Sequence, residues 1–522
     1  MTLPTSPSPR RMPIGLIVLV VVGAAIIAGA YFSLPDDNAR RFLATAAATG
    51  LTVIMLLVWW LFFSGISART RGRSIAVLAG CIAAFLTLVK LEGCSGNNYP
   101  VFAWRWTPKH ERPQLDLPSA EGVTIDLSKT TSSDSPQFLG PDRDNQIPRV
   151  RLARDWAAHP PAELWRHPLG AGWSSFAVVG DYAVTQEQRG SDELVVCYEK
   201  LTGKVCWTHS DTDAFISLIG GDGPRATPTI AGGRVFTMGA KGRLNCLDGA
   251  TGKAIWSHAL LDEHAENFTA IFPEWGKSCS PLVIDDLVIV STGRPNGHSL
   301  EAYDTANGKL VWHAGDALSA YDSPVLTTLA GVRQIVIVNR ESVDGHDPNT
   351  GEHLWTFEWP GGEPKVPQPV PIEPDKLLVA AGYGLGAKLL KIGHSPGVWS
   401  VSPVWSKRYL KPKFTNMVVR DGIAYALDDG SALTCIDLET GNRNWRGGRY
   451  GHGQILQAGD LLIVQAESGE VALVDANAEG ATELGRFTVF ADKTWNEPTL
   501  AGRYLLLRND REAACYELPL AN

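Results

Sequence analysis

The stretch LVVCYEKLTGKVCW, residues Leu194–Trp207, decides how this chain folds. An apolar, β-branched run is followed by a turn that contains Gly203 and by a second apolar run that ends in tryptophan. This pattern predicts two antiparallel strands joined by a tight turn, in which glycine is free to adopt a positive φ. The same unit, with glycine four residues before tryptophan, returns as LNCLDGATGKAIW (Leu244–Trp256), LEAYDTANGKLVW (Leu300–Trp312), DGHDPNTGEHLW (Asp344–Trp355) and LTCIDLETGNRNW (Leu433–Trp445).

The spacing of the repeats indicates the architecture. A period of about 40–50 residues is typical of four-stranded propeller blades. The interval of 90 residues after Trp355 therefore contains a further copy, which ends at Trp405, and a decayed copy over Val474–Leu484 has Leu484 where the others have tryptophan. Intervals of 49, 56, 43 and 90 residues separate Trp207, Trp256, Trp312, Trp355 and Trp445.

Two strands remain unpaired at the ends of the repeat region. One outer strand, Ala162–Leu169, carries Trp165, and Arg503–Leu518 contains inner strands just before the C-terminus. Pairing them makes an eighth blade and removes the open sheet edges that invite aggregation. We therefore predict an all-β, eight-bladed β-propeller of four-stranded blades over residues 162–522, closed between its N-terminal and C-terminal strands.

Three apolar stretches precede the repeats, at Pro13–Leu34, Ala44–Gly65 and Ile75–Leu91. Each is about 17–22 residues long, which is enough to cross the hydrocarbon core of a bilayer. We predict three transmembrane helices that form a membrane anchor over residues 1–93. A cleaved signal peptide is the alternative for the first stretch, because two arginines precede it and Ala28-Gly29-Ala30 resembles a cleavage site.

Arginines set the expected orientation of this anchor. Arg10 and Arg11 precede the first span, and the loop between the second and third spans carries Arg69, Arg71 and Arg73 without an acidic residue. Basic loops stay on the cytoplasmic side of a membrane. We therefore expect the propeller on the periplasmic or extracytoplasmic side of a bacterial plasma membrane, whether or not the first span is removed.

Residues 94–161 are rich in proline, serine and charge, and we predict an extended linker there. Within it, Tyr99–Pro108 is aromatic and follows the last span, as an interfacial anchor would. Residues 1–73 carry a net charge of +5, so the total of −8 leaves −13 for the remainder of the chain. Such an acidic domain is a poor partner for nucleic acid.

The repeat D-x-x-T-G-x-x-x-W resembles that of the pyrroloquinoline-quinone (PQQ) type β-propellers over Ala162–Leu518. Phe138–Asp144 also resembles the F-R-G-P-x-R-x-G lead-in of some anchored propellers, from which Leu139 and Asn145 depart. The family includes quinoprotein dehydrogenases and the non-catalytic outer membrane assembly factor of the BamB type. The resemblance implies that one tryptophan docks each blade on the next, here Trp165, Trp207, Trp256, Trp312, Trp355, Trp405 and Trp445.

Cysteines recur in the repeat six residues before the turn glycine, as Cys197, Cys246 and Cys435, and Cys515 is expected in the same register. Where other copies have Ala302 and Gly345 this position is small, so a buried core role is the simplest interpretation. Cys206 would face Cys197 across its hairpin. These two residues form the single pair for which the sequence suggests a disulfide.

A quinoprotein enzyme needs further features that the resemblance brings with it. PQQ requires Ca²⁺ ligands of the Glu, Asn and Asp type and an aspartate base, and the family commonly covers PQQ with two adjacent cysteines. No two cysteines here are adjacent, and C-x-x-C-H for a haem is missing. We expect no catalytic residue, cofactor or metal, with PQQ and Ca²⁺ as the alternative.

A few single residues invite a chemical interpretation, each with a structural one beside it. Asp428 and Asp429 fit a hairpin turn, and His298 and His452 are loop residues without an evident second ligand. The stretch Phe272–Gly276 opens a blade and fits either an interaction platform or packing between blades.

The sequence therefore favours a non-catalytic binding scaffold, anchored in the plasma membrane, that engages an extracytoplasmic protein partner. The alternative is a membrane-bound, PQQ- and Ca²⁺-dependent dehydrogenase of alcohols or sugars. A sensor domain that signals through the helices is a third option, although the sequence contains no cytoplasmic module to receive the signal.

Overall fold

The computed structural model describes residues 14–33, 38–97, 99–107, 125–261, 273–361, 364–429 and 432–521. The chain divides into two compact units, residues 1–108 and 109–522.

Three helices dominate the first unit: α1 (Ile14–Ser33), α2 (Asn38–Phe63) and α3 (Ala68–Leu88). All three are long and apolar enough to cross a membrane, as predicted. The third helix begins earlier than expected, because Ser67 caps it by accepting a hydrogen bond from the amide of Thr70. The three arginines at positions 69, 71 and 73 therefore lie in the first turns of α3 rather than in a loop. Arg10 and Arg11 lie outside the described residues.

An antiparallel hairpin follows α3 directly, formed by β1 (Val89–Cys94) and β2 (Pro100–Trp104). The Arg105 guanidinium fixes it to the end of the helix by donating two hydrogen bonds to the carbonyl of Leu86, at 2.9 and 3.1 Å. The rings of Trp104 and Trp106 stack at 4.9 Å between centroids, and both are more than half exposed. This aromatic hairpin occupies the segment for which we predicted an interfacial anchor.

The second unit begins with β3 (Gln146–Ile147) and β4 (Ala162–Pro168) and continues into a ring of eight antiparallel sheets, the blades. The first four blades each contain four strands that are consecutive in the chain. They are blade 1 with β5 (Ala177–Val179), β6 (Tyr182–Arg189), β7 (Asp192–Glu199) and β8 (Val205–Asp211), blade 2 with β9 (Thr229–Ala231), β10 (Arg234–Met238), β11 (Arg243–Asp248) and β12 (Ala254–Ala259), blade 3 with β13 (Leu282–Ile284), β14 (Leu287–Arg294), β15 (His298–Asp304) and β16 (Leu310–Ala314), and blade 4 with β17 (Val325–Leu329), β18 (Val332–Val338), β19 (Ser342–His346) and β20 (His353–Glu358).

The last four blades follow the same plan, except that blade 8 takes its outer strand from the start of the unit. They are blade 5 with β21 (Val370–Ile372), β22 (Lys376–Ala381), β23 (Gly386–Ser395) and β24 (Val398–Lys407), blade 6 with β25 (Val418–Arg420), β26 (Ile423–Asp428), β27 (Ala432–Asp437) and β28 (Arg443–Gly447), blade 7 with β29 (Gln454–Ala458), β30 (Leu461–Gln465), β31 (Glu470–Ala476) and β32 (Ala481–Thr488), and blade 8 with β33 (Thr499–Ala501), β34 (Tyr504–Arg508), β35 (Glu512–Glu517) and β4.

Closure of the ring joins the two ends of this unit, as predicted. Strand β4 pairs with β35, and Trp165 lies opposite Cys515. A second, unpredicted contact adds β3 to the inner edge of blade 7, where it runs parallel to β29. The eight-bladed fold with three preceding helices is therefore confirmed, and the apolar cores lie between successive blades.

The tryptophan of one repeat lies against the turn glycine of the next blade. At five of these glycines φ is positive, and an added Cβ atom would lie only 2.5–2.7 Å from a ring carbon of the preceding tryptophan. Two properties of glycine are therefore required at this position of the repeat, its tolerance of a positive φ and its lack of a side chain. The pairs are Gly203 with Trp165, Gly252 with Trp207, Gly308 with Trp256, Gly351 with Trp312, and Gly441 with Trp405.

Indole N–H groups add a second tie between blades. Trp165, Trp207, Trp256, Trp405 and Trp445 each donate a hydrogen bond to a backbone carbonyl of the next blade, at 2.7–3.1 Å. Trp355 differs, and donates to Gln334 of its own blade at 2.6 Å. Its neighbour, blade 5, has a longer hairpin of β23 and β24, and nothing lies within 4 Å of a Cβ atom added at its turn glycine, Gly397.

Blade 7 departs from the expected repeat. Its hairpin is two residues longer than that of blade 1, so Gly485, and not Leu484, takes the register position of the tryptophan opposite Leu473. The indole comes instead from the segment before the propeller, because Trp156 packs over Gly485 and is 4% exposed. Trp156 also contacts Phe487 at 5.6 Å between centroids.

Gly252→Ala tests the contact between tryptophan and glycine. The new methyl group would meet Trp207 at a φ of +71°, so we expect a loss of about 2–4 kcal/mol in stability and a lower Tm. Gly480→Ala is the matched control, because nothing lies within 4 Å of its added Cβ. Thermal unfolding of the full chain in detergent measures both, and equal Tm values for the two variants would contradict this account.

Candidate functional site

One polar residue lies at the start of the inner strand of each blade or two residues before it, and together these residues form a ring around the propeller axis. We call this set the axial ring. Its members are largely or fully buried, and the five that are followed by proline share a short sequence signal that the repeat analysis missed. The axial ring consists of Ser175, Thr227, Ser280, Ser323, Gln368, Asn416, Gln454 and Glu497.

Hydrogen bonds connect the axial ring from blade to blade in one direction. The backbone N–H of each member donates to the side-chain oxygen of the next, at 2.9–3.1 Å, from blade 1 to blade 6. Asn416 Nδ2 then donates to Glu497 Oε2 at 3.2 Å, and the Ser175 hydroxyl donates to the Glu497 carbonyl at 2.6 Å. Gln454 is not part of this series of hydrogen bonds. Its side-chain amide donates instead to the carbonyls of Phe414 and Trp495.

Glu497 is the only carboxylic acid in the axial ring. Burial raises its pKa to about 8, although the amides of Asn416 and Asn145 favour the ionised form. At neutral pH the side chain is therefore a neutral acid. It lines a cavity with room for about one water molecule, beside Phe138 and Gly140.

The chain seals this part of the axis with its own residues 134–147, which we call the axial segment. Ser135 pairs with Val178 of blade 1, and the carbonyl of Pro136 accepts from the amide of Ile230 in blade 2. Arg143 reaches the start of blade 3, where its guanidinium donates to the carbonyls of Ser280 and Pro281, both at 3.0 Å. Strand β3 then joins blade 7, so the axial segment crosses the ring.

The lead-in motif noted in the sequence, Phe138–Asp144, forms the centre of this axial segment. Asn145 stands where the lead-in pattern has glycine, and its φ of +64° is one that asparagine tolerates better than most residues. Its side chain donates to the carbonyl of Ile455 at 2.6 Å. Three non-glycine residues of the motif region have positive φ, namely Leu139, Arg143 and Asn145.

An aromatic cluster lies at the end of the axis where the inner strands begin. Trp495 contacts both Trp173 and Phe414 at 5.0 Å between centroids, and Phe414 contacts His452 at the same distance. The Lys493 ammonium group sits 3.9 Å from the centroid of Trp495 and 5.1 Å from that of Trp173. Cation–π attraction therefore holds a positive charge within this cluster.

The two histidines singled out from the sequence lie apart. His452 is buried in the aromatic cluster, and desolvation lowers its pKa to about 3, so it stays neutral. His298 lies in blade 3, where it hydrogen bonds to Glu301 at 2.7 Å and stacks on His313 at 3.9 Å. The two do not form a site together, and no group of three His, Cys, Asp or Glu side chains suited to a metal ion occurs among the described residues.

Asp428 and Asp429 lie at the hairpin turn between β26 and β27. Asp428 accepts a hydrogen bond from the amide of Lys411 at 2.9 Å, and burial raises its pKa to about 6. Asp429 pairs with the buried ammonium group of Lys413 at 3.0 Å. The turn interpretation thus accounts for their position, and the ion pair ties blade 6 to the loop that enters it.

An exposed apolar loop connects blade 1 to blade 2 at the end of the axis that carries the aromatic cluster. Ile216, Leu218 and Ile219 are 78%, 55% and 42% exposed, and we call these residues the apolar loop. The loop lies between two tryptophans, because Cβ atoms added at Gly220 and Gly221 would meet Trp275 and Trp173. The stretch Phe272–Gly276 thus contributes Trp275 to this surface, whereas Phe272 lies outside the described residues.

Internal bonds hold the apolar loop in shape. The amide of Gly223 donates to the carbonyl of Phe215 at 3.0 Å, and the amide of Ser217 donates to Asp222 at 3.1 Å. The Arg225 guanidinium stacks over the buried Phe215 ring at 4.5 Å and donates to the carbonyls of the loop glycines. A rigid frame therefore presents the three aliphatic side chains to solvent.

Burial of the Glu497 carboxyl predicts a pH dependence of stability. A pKa raised above that of the unfolded chain means that stability falls as pH rises from about 4.5 to about 8. Glu497→Gln removes this titration. Between pH 5 and pH 8 we therefore expect the free energy of unfolding of the variant to fall less steeply, by up to about 1.4 kcal/mol per pH unit, and its Tm to depend less on pH. The exposed Glu439→Gln is the control, and identical slopes in both variants would contradict the assignment.

Comparison with known proteins agrees with the fold. The family model described as outer membrane protein assembly factor BamB matches residues 191–342 and 339–482. BamB of Shewanella oneidensis is 20% identical over 350 residues, which cover 65% of this chain and 84% of that protein.

Alcohol dehydrogenases are similar over a smaller share of their length. Quinohemoprotein alcohol dehydrogenase ADH-IIG of Pseudomonas putida is 24% identical over 43% of this chain and 32% of its own. The crystal structure of the quinohemoprotein alcohol dehydrogenase of Comamonas testosteroni superposes with a TM-score of 0.54 at 14% identity, covering 74% of this chain and 80% of that one. At such identity the likeness concerns the fold alone.

Proposed function

Because this chain belongs to the family described as outer membrane protein assembly factor BamB, we propose that it is a non-catalytic scaffold that binds a protein partner. Its three apolar helices anchor it in a membrane. Arg69, Arg71 and Arg73 at the start of α3 favour a cytoplasmic position for that end of the helix, which puts the propeller on the extracytoplasmic side.

The observation that carries the proposal is the apolar loop. Three neighbouring aliphatic side chains in water are unfavourable, and a contiguous exposed apolar surface on a soluble domain is characteristic of protein interaction sites. The loop needs little ordering on binding, because the hydrogen bonds around Phe215 and Arg225 already fix it. The partner is accordingly an extracytoplasmic protein with an apolar surface, which covers Ile216, Leu218 and Ile219.

Trp275 extends this surface toward the next blade. Its ring contacts Tyr321 at 5.4 Å between centroids, and its backbone N–H donates a hydrogen bond to the Tyr321 hydroxyl at 3.1 Å. Large, half-buried aromatic side chains beside an exposed apolar group are common anchors of protein interfaces. The binding surface therefore spans the entrances to blades 2, 3 and 4.

Site-specific photo-crosslinking in intact membranes tests the scaffold. A photoreactive residue in place of Leu218 should yield a discrete protein adduct, whereas the same residue at Val311, which is 52% exposed on an outer strand, should not. Ile216→Ser combined with Ile219→Ser should lower the adduct yield about tenfold, as expected for the loss of two apolar contacts. Both side chains are exposed, so Tm should stay unchanged. Equal adducts at positions 218 and 311 would rule out this surface.

A PQQ-dependent dehydrogenase is the second candidate, and part of the axis suits it. Trp173, Trp495 and Phe414 offer flat faces, and Lys493 offers a cation, for a planar anionic group. The calcium ligands do not fit. Glu497 is buried in neutral form and hydrogen bonded within the axial ring, and the axial segment fills the space beside it. We assign no chemical step to this group.

Titration of the full chain in detergent with PQQ and Ca²⁺ separates the two candidates. For a scaffold we expect no calcium-dependent heat of binding and no rise in Tm at high micromolar PQQ. Stoichiometric, calcium-dependent binding with a higher Tm would favour the dehydrogenase and call for a substrate screen with a dye acceptor.

A further inference from the structure

Every blade carries the same irregularity between its two outer strands. The register shifts by one residue directly after the position that Cys197 holds in blade 1, in all eight blades. In blade 1 Cys197 lies opposite Trp207 and Tyr198 lies opposite Val205, so Cys206 is the extra residue of a β-bulge. The bulge therefore places the residue before the tryptophan, here Cys206, beside the residue that faces the tryptophan on the neighbouring strand, here Cys197.

Blade 6 shows how closely the side chains approach at this bulge. There the extra residue is Asn444, and its Nδ2 atom lies 3.9 Å from Cys435 Sγ, the counterpart of Cys197. In blade 2 the extra residue is Ile255, opposite Cys246. Blade 1 alone has cysteine at both positions. Both residues are free thiols in the structure, where the Cys206 thiol donates to the carbonyl of Lys204 at 3.7 Å and each of the two thiols shifts the pKa of the other.

We propose that Cys197 and Cys206 form a disulfide by thiol–disulfide exchange, and that this bond cross-links β7 and β8 of blade 1. The donor is a disulfide of the extracytoplasmic compartment, either of a protein or of a small molecule. The cross-link closes the turn that contains Lys200 and Gly203.

The two thiols are suited to different steps of the exchange. Cys206 is half-buried, and the hydrogen bond from Cys197 lowers the pKa of its thiol, so its thiolate attacks the donor disulfide and releases one donor thiolate. Cys197 is fully buried, and burial raises its pKa. It loses its proton to the released thiolate and attacks Cys206 Sγ, which expels the second donor thiolate. Two protein thiols are oxidised and one donor disulfide is reduced to two thiols.

The location gives this bond a structural consequence. The turn that it closes is the surface on which blade 8 docks, since Trp165 packs on Gly203 and donates to the carbonyl of Lys200 at 2.8 Å. Blade 8 is the blade that closes the ring through β4 and β35. The disulfide therefore stabilises the turn of blade 1 on which blade 8 docks when the ring closes.

Exchange of the reduced full chain with glutathione disulfide, in detergent, tests the proposal. Trypsin cleaves after Lys200 and Lys204, so the two cysteines fall in separate peptides and a disulfide appears as a linked pair under non-reducing conditions. We expect this pair as the product, and a rise of about 2–5 °C in Tm relative to the reduced protein. Cys206→Ser should abolish both, while Cys246→Ala, which changes the same register position in blade 2, should leave both intact.

Three results would overturn the proposal. They are two unlinked peptides after exchange, glutathione that remains on Cys206 without release, and a linked pair that joins either residue to another cysteine. Because the assay reads the bond directly, loss of folding in Cys206→Ser would not obscure the result for the unaltered chain.

Discussion

The propeller depends on one contact, repeated from blade to blade, between the face of an indole and a glycine with positive φ. The tryptophan stands at the end of one repeat and the glycine at the turn of the next, so each blade is complete only when its neighbour is present. The contact buries a large aromatic surface, and the indole N–H ties it to a backbone carbonyl. The spacing of four residues between glycine and tryptophan follows from this arrangement, because both residues serve neighbouring interfaces of the same blade.

The axis of the ring is filled rather than open over the part that the structure describes. Side chains of the axial ring bond to one another, and the axial segment bonds to blades 1, 2, 3 and 7. Because the axis is filled, the surface that differs from blade to blade lies at the rim of the propeller. There the connection between blades 1 and 2 presents Ile216, Leu218 and Ile219 to solvent, whereas Lys413 and Asp429 form a buried ion pair at the entrance to blade 6. This difference is the basis for our proposal of a scaffold that binds its partner with one sector of one face.

Periodic features of the fold could be predicted from the sequence, and single substitutions within the period could not. Tryptophan spacing gave the number of blades, and the unpaired strands at Trp165 and Cys515 gave the closure. Gly485 could not be recognised in the tryptophan position, because two added hairpin residues shift the register without changing the composition. Trp156 and Asn145 were assigned to a linker, since their partners are hundreds of residues away and no local pattern marks them. The sequence contains one sign of the axial ring, a polar residue followed by proline in five of the blades. This pattern can be recognised only once the blades are aligned.

The pairing of the axial segment with blade 7 has a consequence for synthesis. Asn145 and its partner Ile455 are separated by 310 residues, so the axial segment leaves the ribosome long before the strand that it completes. On a chain that is threaded across a membrane from its N-terminus, β3 at the end of this segment has to wait unpaired until blade 7 is made, whereas the residues before it can already bond to blades 1, 2 and 3. Its proline, serine and charged residues suit that wait, because they keep an unpartnered segment hydrated and resistant to premature pairing. Closure of the ring likewise has to wait for β35, the strand that pairs with β4.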